Sequence, residues 1–151
     1  MAVEDPDAKI SIDDICPPES IGYMLRATAV DPRRMGKPYR YIYGNCIIGP
    51  RPCNSINATC RINVMDGTVV TWNDLPNAIA AGPPTFIPRP GAEEDDENDG
   101  VVLLDYLGAD GCALMVVLDG ESFAEVARVR VPYRQCVSTG NTWIFKSDPG
   151  A

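Results

Sequence analysis

The sequence predicts an all-β protein, and three observations carry that expectation. Fourteen prolines and thirteen glycines interrupt the 151 residues at short intervals, and no window sustains the 3.6-residue apolar period of an amphipathic helix. Between the breaks lie short runs rich in Val, Ile, Tyr and Thr, some alternating from one side chain to the next as the two faces of a strand do. Tight-turn sequences, "MDG" at 65–67 and "GADG" at 108–111, stand between such runs. Hairpins repeated in this way suggest propeller blades or a meander.

Along the chain, an irregular N-terminal arm of residues 1–20 ends at "CPPES", whose adjacent prolines exclude a helix there. "IGYMLRATAV" and "KPYRYIYGNCII" follow as strands, with Tyr39, Tyr41 and Tyr43 alternating with Arg40 and Ile42. "ATCRINVMDGTVVTW" is a hairpin turning at 65–67. A Pro-rich crossing, "NDLPNAIAAGPPTFIPRPG", leads to "GVVLLDYL" and "CALMVVLDG" on either side of residues 108–111, and "FAEVARVRVPY" closes the set with Val126, Val129 and Val131. Residues 101–104 are all apolar, as are 113–118, so these two strands are expected to form the core and to be covered on both faces. One β domain, 21–147, is expected, with a short tail at 148–151; the length suits a single core rather than two domains.

The formal net charge is -8, and residues 93–99 hold six of the acidic side chains, so the remainder is close to balanced. A near-neutral remainder has no broad basic face, which argues against nucleic acid or an anionic membrane surface as a partner. "DPRRMGKPYRYIYG" does interleave Arg33, Arg34, Lys37 and Arg40 with tyrosines, as a single-strand nucleic-acid platform would. Ordinary solvent-facing arginines on a strand explain it better, given the acidic balance elsewhere. No apolar run approaches the roughly 20 residues of a membrane span, and "MAVEDPDAK" has the features of neither a secretory signal nor a transit peptide.

The acid run "EEDDENDG" lacks the alternating oxygen ligands, sharp-turn glycine and closing glutamate of a calcium loop. It reads as a solvated loop ahead of a buried strand, its carboxylates repelling one another. Cys16, Cys46, Cys53, Cys60, Cys112 and Cys136 include no CxxC pair, and the chain has no histidine to complete a zinc set. The seven-residue spacing of Cys46, Cys53 and Cys60 leaves open a loop-stapling disulfide or buried thiols. Asn57-Ala58-Thr59 fits the glycosylation acceptor pattern by chance. Without histidine there is no Ser-His or Cys-His pair, and the glycines sit at turns rather than in a phosphate-binding loop.

Four phrases carry a resemblance: "GKPYRYIYG", "TFIPRPGAEEDDENDGVVL", "LMVVLDGESFAEVARVRVP" and "STGNTWIF". Together, from about residue 21 to residue 145, they resemble the C-terminal part of the carotenoid cleavage oxygenase family, which includes the retinal-pigment-epithelium isomerase. The resemblance implies a seven-bladed β-propeller, of which this chain would form about two blades of antiparallel hairpins. It also implies a ferrous iron held by four histidines, three of them oriented by glutamates, and cleavage or isomerisation of polyenes. At the matching positions this chain departs from the family. Thr139, in Ser138-Thr139-Gly140, stands where the family has an iron histidine in F-H-G; Pro83 stands at the glutamate of E-P-x-F-V; a further orienting glutamate falls near Leu25.

A hydroxyl cannot replace an imidazole as a donor to ferrous iron. The sequence therefore predicts no catalytic residue, no metal site and no cofactor. Part of a propeller leaves strand edges and apolar faces that must be covered, so the expected role is a non-catalytic accessory subunit whose protein partners cover those edges. By analogy with the family's carotenoid substrates, that assembly would be a pigment-containing photosynthetic complex in a plastid, with the chain peripheral to the thylakoid through its partners. The rival expectations are one fragment of a split iron dioxygenase and a free carotenoid-binding module.

Overall fold

A computed structural model describes residues 26–48 and 56–134. They form two antiparallel sheets. The first has four strands in sequence order: β1 (Arg26–Ala29), β2 (Tyr41–Cys46), β3 (Ala58–Asn63) and β4 (Val69–Trp72). The second has five: β5 (Ala78–Ala81) and β6 (Thr85–Pro88) both pair with β7 (Gly100–Gly108), followed by β8 (Cys112–Asp119) and β9 (Glu125–Arg134). The only helical segment among the described residues is a 3-10 turn, Pro32–Arg34.

The hairpins fall where turn chemistry places them. Gly67 (φ 72°) and Gly111 (φ 80°) take left-handed conformations that a side chain would strain, and the Gly111 N–H closes its turn on the Gly108 carbonyl at 2.9 Å. The Pro-rich crossing is not a plain connection. It contributes β5 and β6, because Ala78–Ala81 and Thr85–Pro88 are short enough to lie end to end along the nine residues of β7. Pro88 is tolerated at the end of a strand that has only one neighbour in the sheet.

The sheets pack face to face. From the second, Val102, Leu104, Tyr106, Val116 and Leu118 project inward, all nearly or fully buried; from the first come Tyr43, Val70 and Trp72. Tyr43 stacks on Phe86 with ring centroids 5.0 Å apart and planes 7° from parallel, and Trp72 meets Tyr106 edge-on at 5.2 Å. Phe123 reaches this core from the β8–β9 turn with a left-handed backbone (φ 59°), unusual for a bulky residue. Three bonds hold it there: Phe123 N–H to the Asp119 carbonyl, and Ser122 N–H and Oγ to Asp119 Oδ1. Arg61 lies between the sheets, its guanidinium 5.1 Å from the Tyr41 ring and 5.7 Å from Phe123, and it donates to the carbonyls of Gly120 and Glu121.

The expected two-sided burial of the apolar strands holds for one side only. Along β7, buried and half-buried residues alternate strictly, and on β8 Met115 is 45% exposed. The face bearing Val101, Leu103, Leu107, Met115 and Val117 belongs to neither buried cluster.

Leu104 is 1% exposed in the centre of the core. Leu104→Ala is expected to lower unfolding stability by about 2–5 kcal/mol, since the inter-sheet space closes only partly around the cavity. Chemical denaturation monitored by tryptophan fluorescence reads the loss, and a change under about 1 kcal/mol would contradict this packing.

Candidate functional site

The acidic run and the basic segment, 60 residues apart in sequence, meet. Asp31 caps the 3-10 turn by accepting from the Arg33 N–H at 2.9 Å and is itself buried, at 1% exposure. Its carboxylate receives Arg33 Nε on Oδ1 at 3.1 Å and Nη2 on Oδ2 at 2.7 Å, a fork-on-fork pair that fixes the guanidinium plane. The remaining donors then reach the acidic loop through its backbone: Nη1 to the carbonyls of Ala92 (3.0 Å) and Glu93 (3.1 Å), and Nη2 to that of Asp96 (3.2 Å). Around this anchor, Arg34 pairs with Asp95 at 2.6 Å, Lys37 with Glu94, and the Arg40 N–H donates to Glu97 Oε2 at 2.6 Å.

Two sequence expectations are corrected here. The run at 93–99 is a surface loop but not merely a solvated one, and Arg33, Arg34 and Lys37 do not simply face solvent. They form a clasp between the first sheet's β1–β2 connection and the β6–β7 loop of the second. The mutual repulsion expected of the carboxylates is offset by these cations and by turns inside the loop, Asp96 N–H to Glu93 carbonyl and Asp99 N–H to Asp96 carbonyl. The hydrogen bond from Lys37 holds the Glu94 carboxyl below the usual glutamate range. The bond to Asp31 raises Arg33, and that to Asp95 raises Arg34. Opposite charge on two remote segments was the available signal; sequence separation hid it.

A second polar feature crosses the core. Asn45 on β2 donates from Nδ2 to the Gly82 carbonyl at 2.6 Å, Thr59 Oγ1 on β3 donates to Asn45 Oδ1 at 3.0 Å, and Thr59 Oγ1 lies 2.9 Å from Tyr106 Oη on β7. Asn45 and Thr59 are essentially fully buried, and burial raises the Tyr106 phenol well above its ordinary value. This bridge was legible only as polar residues at inward positions of apolar strands. Nearby, the Tyr43 hydroxyl is buried and makes no hydrogen bond among the described residues.

Pro83 follows Gly82 in the β5–β6 connection, beside this bridge, and its ring offers no carboxylate to orient an imidazole. Thr139 and Leu25 lie outside the described residues, as do Cys16, Cys53 and Cys136. Cys46, Cys60 and Cys112 are thiols. Cys46 and Cys60 lie on the face of the first sheet turned away from the second, fully buried, and a hydrogen bond between them lowers the Cys46 thiol against the upward effect of burial. Among the described residues no three His, Cys, Asp or Glu side chains are placed to hold a metal ion, and no helix is long and apolar enough to cross a membrane.

The two antiparallel sheets are thus packed as layers and joined by a clasp and a buried bridge. The family model for retinal pigment epithelial membrane protein matches residues 25–144, and the chain belongs to this carotenoid oxygenase family. Carotenoid cleavage dioxygenase 8 of Arabidopsis thaliana, described as chloroplastic, is 33% identical over 128 residues, covering 85% of this chain and 21% of that protein. The β,β-carotene 15,15'-dioxygenase of Rattus norvegicus is 31% identical over 77% of this chain and 20% of its own length. A variant of the Synechocystis apocarotenoid oxygenase superposes with a TM-score of 0.76 at 24% identity, over 84% of this chain and 26% of that one. The chain thus spans about a fifth of the length of the curated relatives it matches.

Arg33→Ala is expected to cost about 2–3 kcal/mol, since it strands the buried Asp31 carboxylate and frees three loop carbonyls. Lys37→Ala, in a pair half exposed on both sides, is expected to stay within about 0.5 kcal/mol. Equal losses in urea denaturation would refute this division of labour. In acid, Glu94 gives the sign: its folded carboxyl titrates below the unfolded one, so its contribution is complete above the ordinary glutamate range and is lost as pH falls through the folded value. Stability measured across pH 7 to 3 should therefore hold steady and then decline below about pH 4. In a Lys37→Met variant the part of that decline due to Glu94 should shrink; an unchanged acid limb would count against the Lys37–Glu94 pair.

Proposed function

We propose that this chain works as a carotenoid-oxygenase-like packing subunit without iron chemistry of its own. The observation that carries this is the absence of any histidine in the sequence. A ferrous oxygenase centre needs neutral nitrogen donors that leave coordination positions open, and hydroxyl, thiol and carboxylate groups do not supply that set. Thr139 at the matching histidine position and Pro83 at the matching glutamate position support the same conclusion. The residues present do not fit the family's iron.

What the chain retains is the structural half of the family's inheritance: two layered sheets and the contacts that lock them together. In this reading it joins a larger assembly, and the chloroplast assignment of the Arabidopsis relative supports a plastid setting, where a pigment-containing photosynthetic complex would be the host and the thylakoid surface the site. A second reading, one piece of a divided oxygenase, is favoured by the chain's span of about a fifth of its relatives; the missing histidines would then come from another polypeptide.

The purified chain, incubated anaerobically with ferrous ammonium sulfate and passed through a desalting column, is expected to retain only trace iron and to leave β-apocarotenal unchanged. Stoichiometric iron with polyene cleavage by this chain alone would overturn the proposal. Iron and cleavage found only in the native assembly, and lost on depletion of this chain, would establish the divided oxygenase instead.

A further inference from the structure

The first sheet holds two thiols that neither the clasp nor the bridge uses. In the β2–β3 register Cys46 stands opposite Ala58, and Cys60 opposite Gly44, so the two cysteines are diagonal neighbours on one face of the sheet. Both are fully buried, in a cluster with Ala58 and Ile62. Gly44 has no side chain and Ala58 only a methyl group, which leaves the thiols room to lean together, and they share a hydrogen bond. The ends of the β2–β3 connection are held as well. Asn57 Oδ1 accepts from the Ile48 N–H at 2.8 Å, Asn57 Nδ2 donates to the Ile48 carbonyl at 2.9 Å, and the Asn57 N–H reaches the Cys46 carbonyl at 3.3 Å. On the inner face, directly behind the cysteines, Asn45 and Thr59 stand opposite each other in the register and bond to each other in the buried bridge.

We propose that Cys46 and Cys60 form a reversible redox latch, closing to a disulfide that ties β2 to β3 behind the Asn45–Thr59 pair. The oxidant is a peroxide. Cys46, whose thiolate the hydrogen bond with Cys60 favours, attacks one peroxide oxygen; the O–O bond breaks, a sulfenic acid forms on Cys46, and the departing hydroxide takes up the proton that Cys46 gave up. The Cys60 sulfur then attacks the Cys46 sulfur, forming the S–S bond, and the hydroxide displaced takes the Cys60 proton. Two thiols and one hydrogen peroxide give one disulfide and two waters. A dithiol reductant reverses the step by supplying two electrons and two protons.

The placement of the pair makes the latch reversible rather than permanent. Diagonal neighbours stand about 7–8 Å apart, slightly beyond the Cα span of a relaxed disulfide. Closure therefore draws β2 and β3 together and leaves the bond strained, and strained disulfides are the readily reduced ones. Burial selects the oxidant: a small uncharged peroxide reaches the thiols during local openings of the sheet. The closed ring runs over residues 46–60, fifteen in all, a length at which a relaxed cross-link raises the folded-to-unfolded ratio on the order of a hundredfold. Strain cuts that gain to about tenfold. The inference is independent of whether the chain binds iron.

The full chain, reduced and folded, is treated with hydrogen peroxide, quenched, alkylated in denaturant and mapped by mass spectrometry without reduction. A peptide pair joined through Cys46 and Cys60 is expected, with both thiols restored by dithiothreitol. In urea denaturation the oxidised chain should show a folded-to-unfolded ratio about tenfold above that of the reduced chain. Cys46→Ala should abolish both the link and the gain, and Cys60→Ala should do the same should the first variant fail to fold, which circular dichroism checks. Cys53→Ser, which removes the cysteine lying between them in sequence, should leave link and gain intact. The proposal is overturned by any of four results: no link between Cys46 and Cys60 after peroxide, a link from either one to Cys53 instead, a link that forms only when the chain is unfolded in urea beforehand, or a link that leaves stability unchanged.

Discussion

The structure depends on the inner face of β7 and β8 meeting the aromatic face of the first sheet. The larger core needs both sheets: Val102, Leu104, Val116 and Leu118 need Tyr43 and Trp72 above them, and these aromatics need an apolar floor. Hydrophobic contact of this kind is strong but weakly directional. Three polar features supply direction. The Asn45–Thr59–Tyr106 chain fixes how the sheets lie against each other at one place in the core, Arg61 threads between aromatic rings to the carbonyls of Gly120 and Glu121, and Arg33 ties the loops at the periphery. An unsatisfied member of the central chain would be costly in so dry a place, which is why its partners are complete within the network.

The features that hold the two sheets together need no histidine. None of them involves a metal donor. A chain without imidazoles can hold the sheets, the clasp and the bridge, because the forces that assemble them are apolar contact, backbone hydrogen bonding and arginine–carboxylate pairing. Family membership and a sequence without histidine are therefore compatible.

Much of the fold was legible in the sequence, and the exceptions have physical causes. Alternation in "YRYIY" and the turns at 65–67 and 108–111 located β2, the β3–β4 hairpin and the β7–β8 hairpin correctly, because period-two patterning and left-handed glycines are local. β5 and β6 were hidden in proline-rich sequence, since strands of four residues beside one neighbour need little propensity and tolerate a terminal proline. The pairing of residues 31–40 with 92–97 was hidden because charge complementarity between distant segments has no local signature. For residues 101–104 and 113–118, continuous apolar runs suggested cover on both faces, whereas among the described residues one face alone is buried.

The manner in which Arg33 grips the acidic loop has an evolutionary consequence. Its hydrogen bonds go to the carbonyls of Ala92, Glu93 and Asp96, groups that every amino acid carries, so what is recognised is the path of the main chain and not its ornament. Substitutions at 92, 93 and 96 can therefore accumulate with little penalty as long as the loop's contour is kept. A change of length there, by even one residue, would displace all three acceptors together. Insertions and deletions, far more than point changes, should be the variation that selection removes from this part of the molecule.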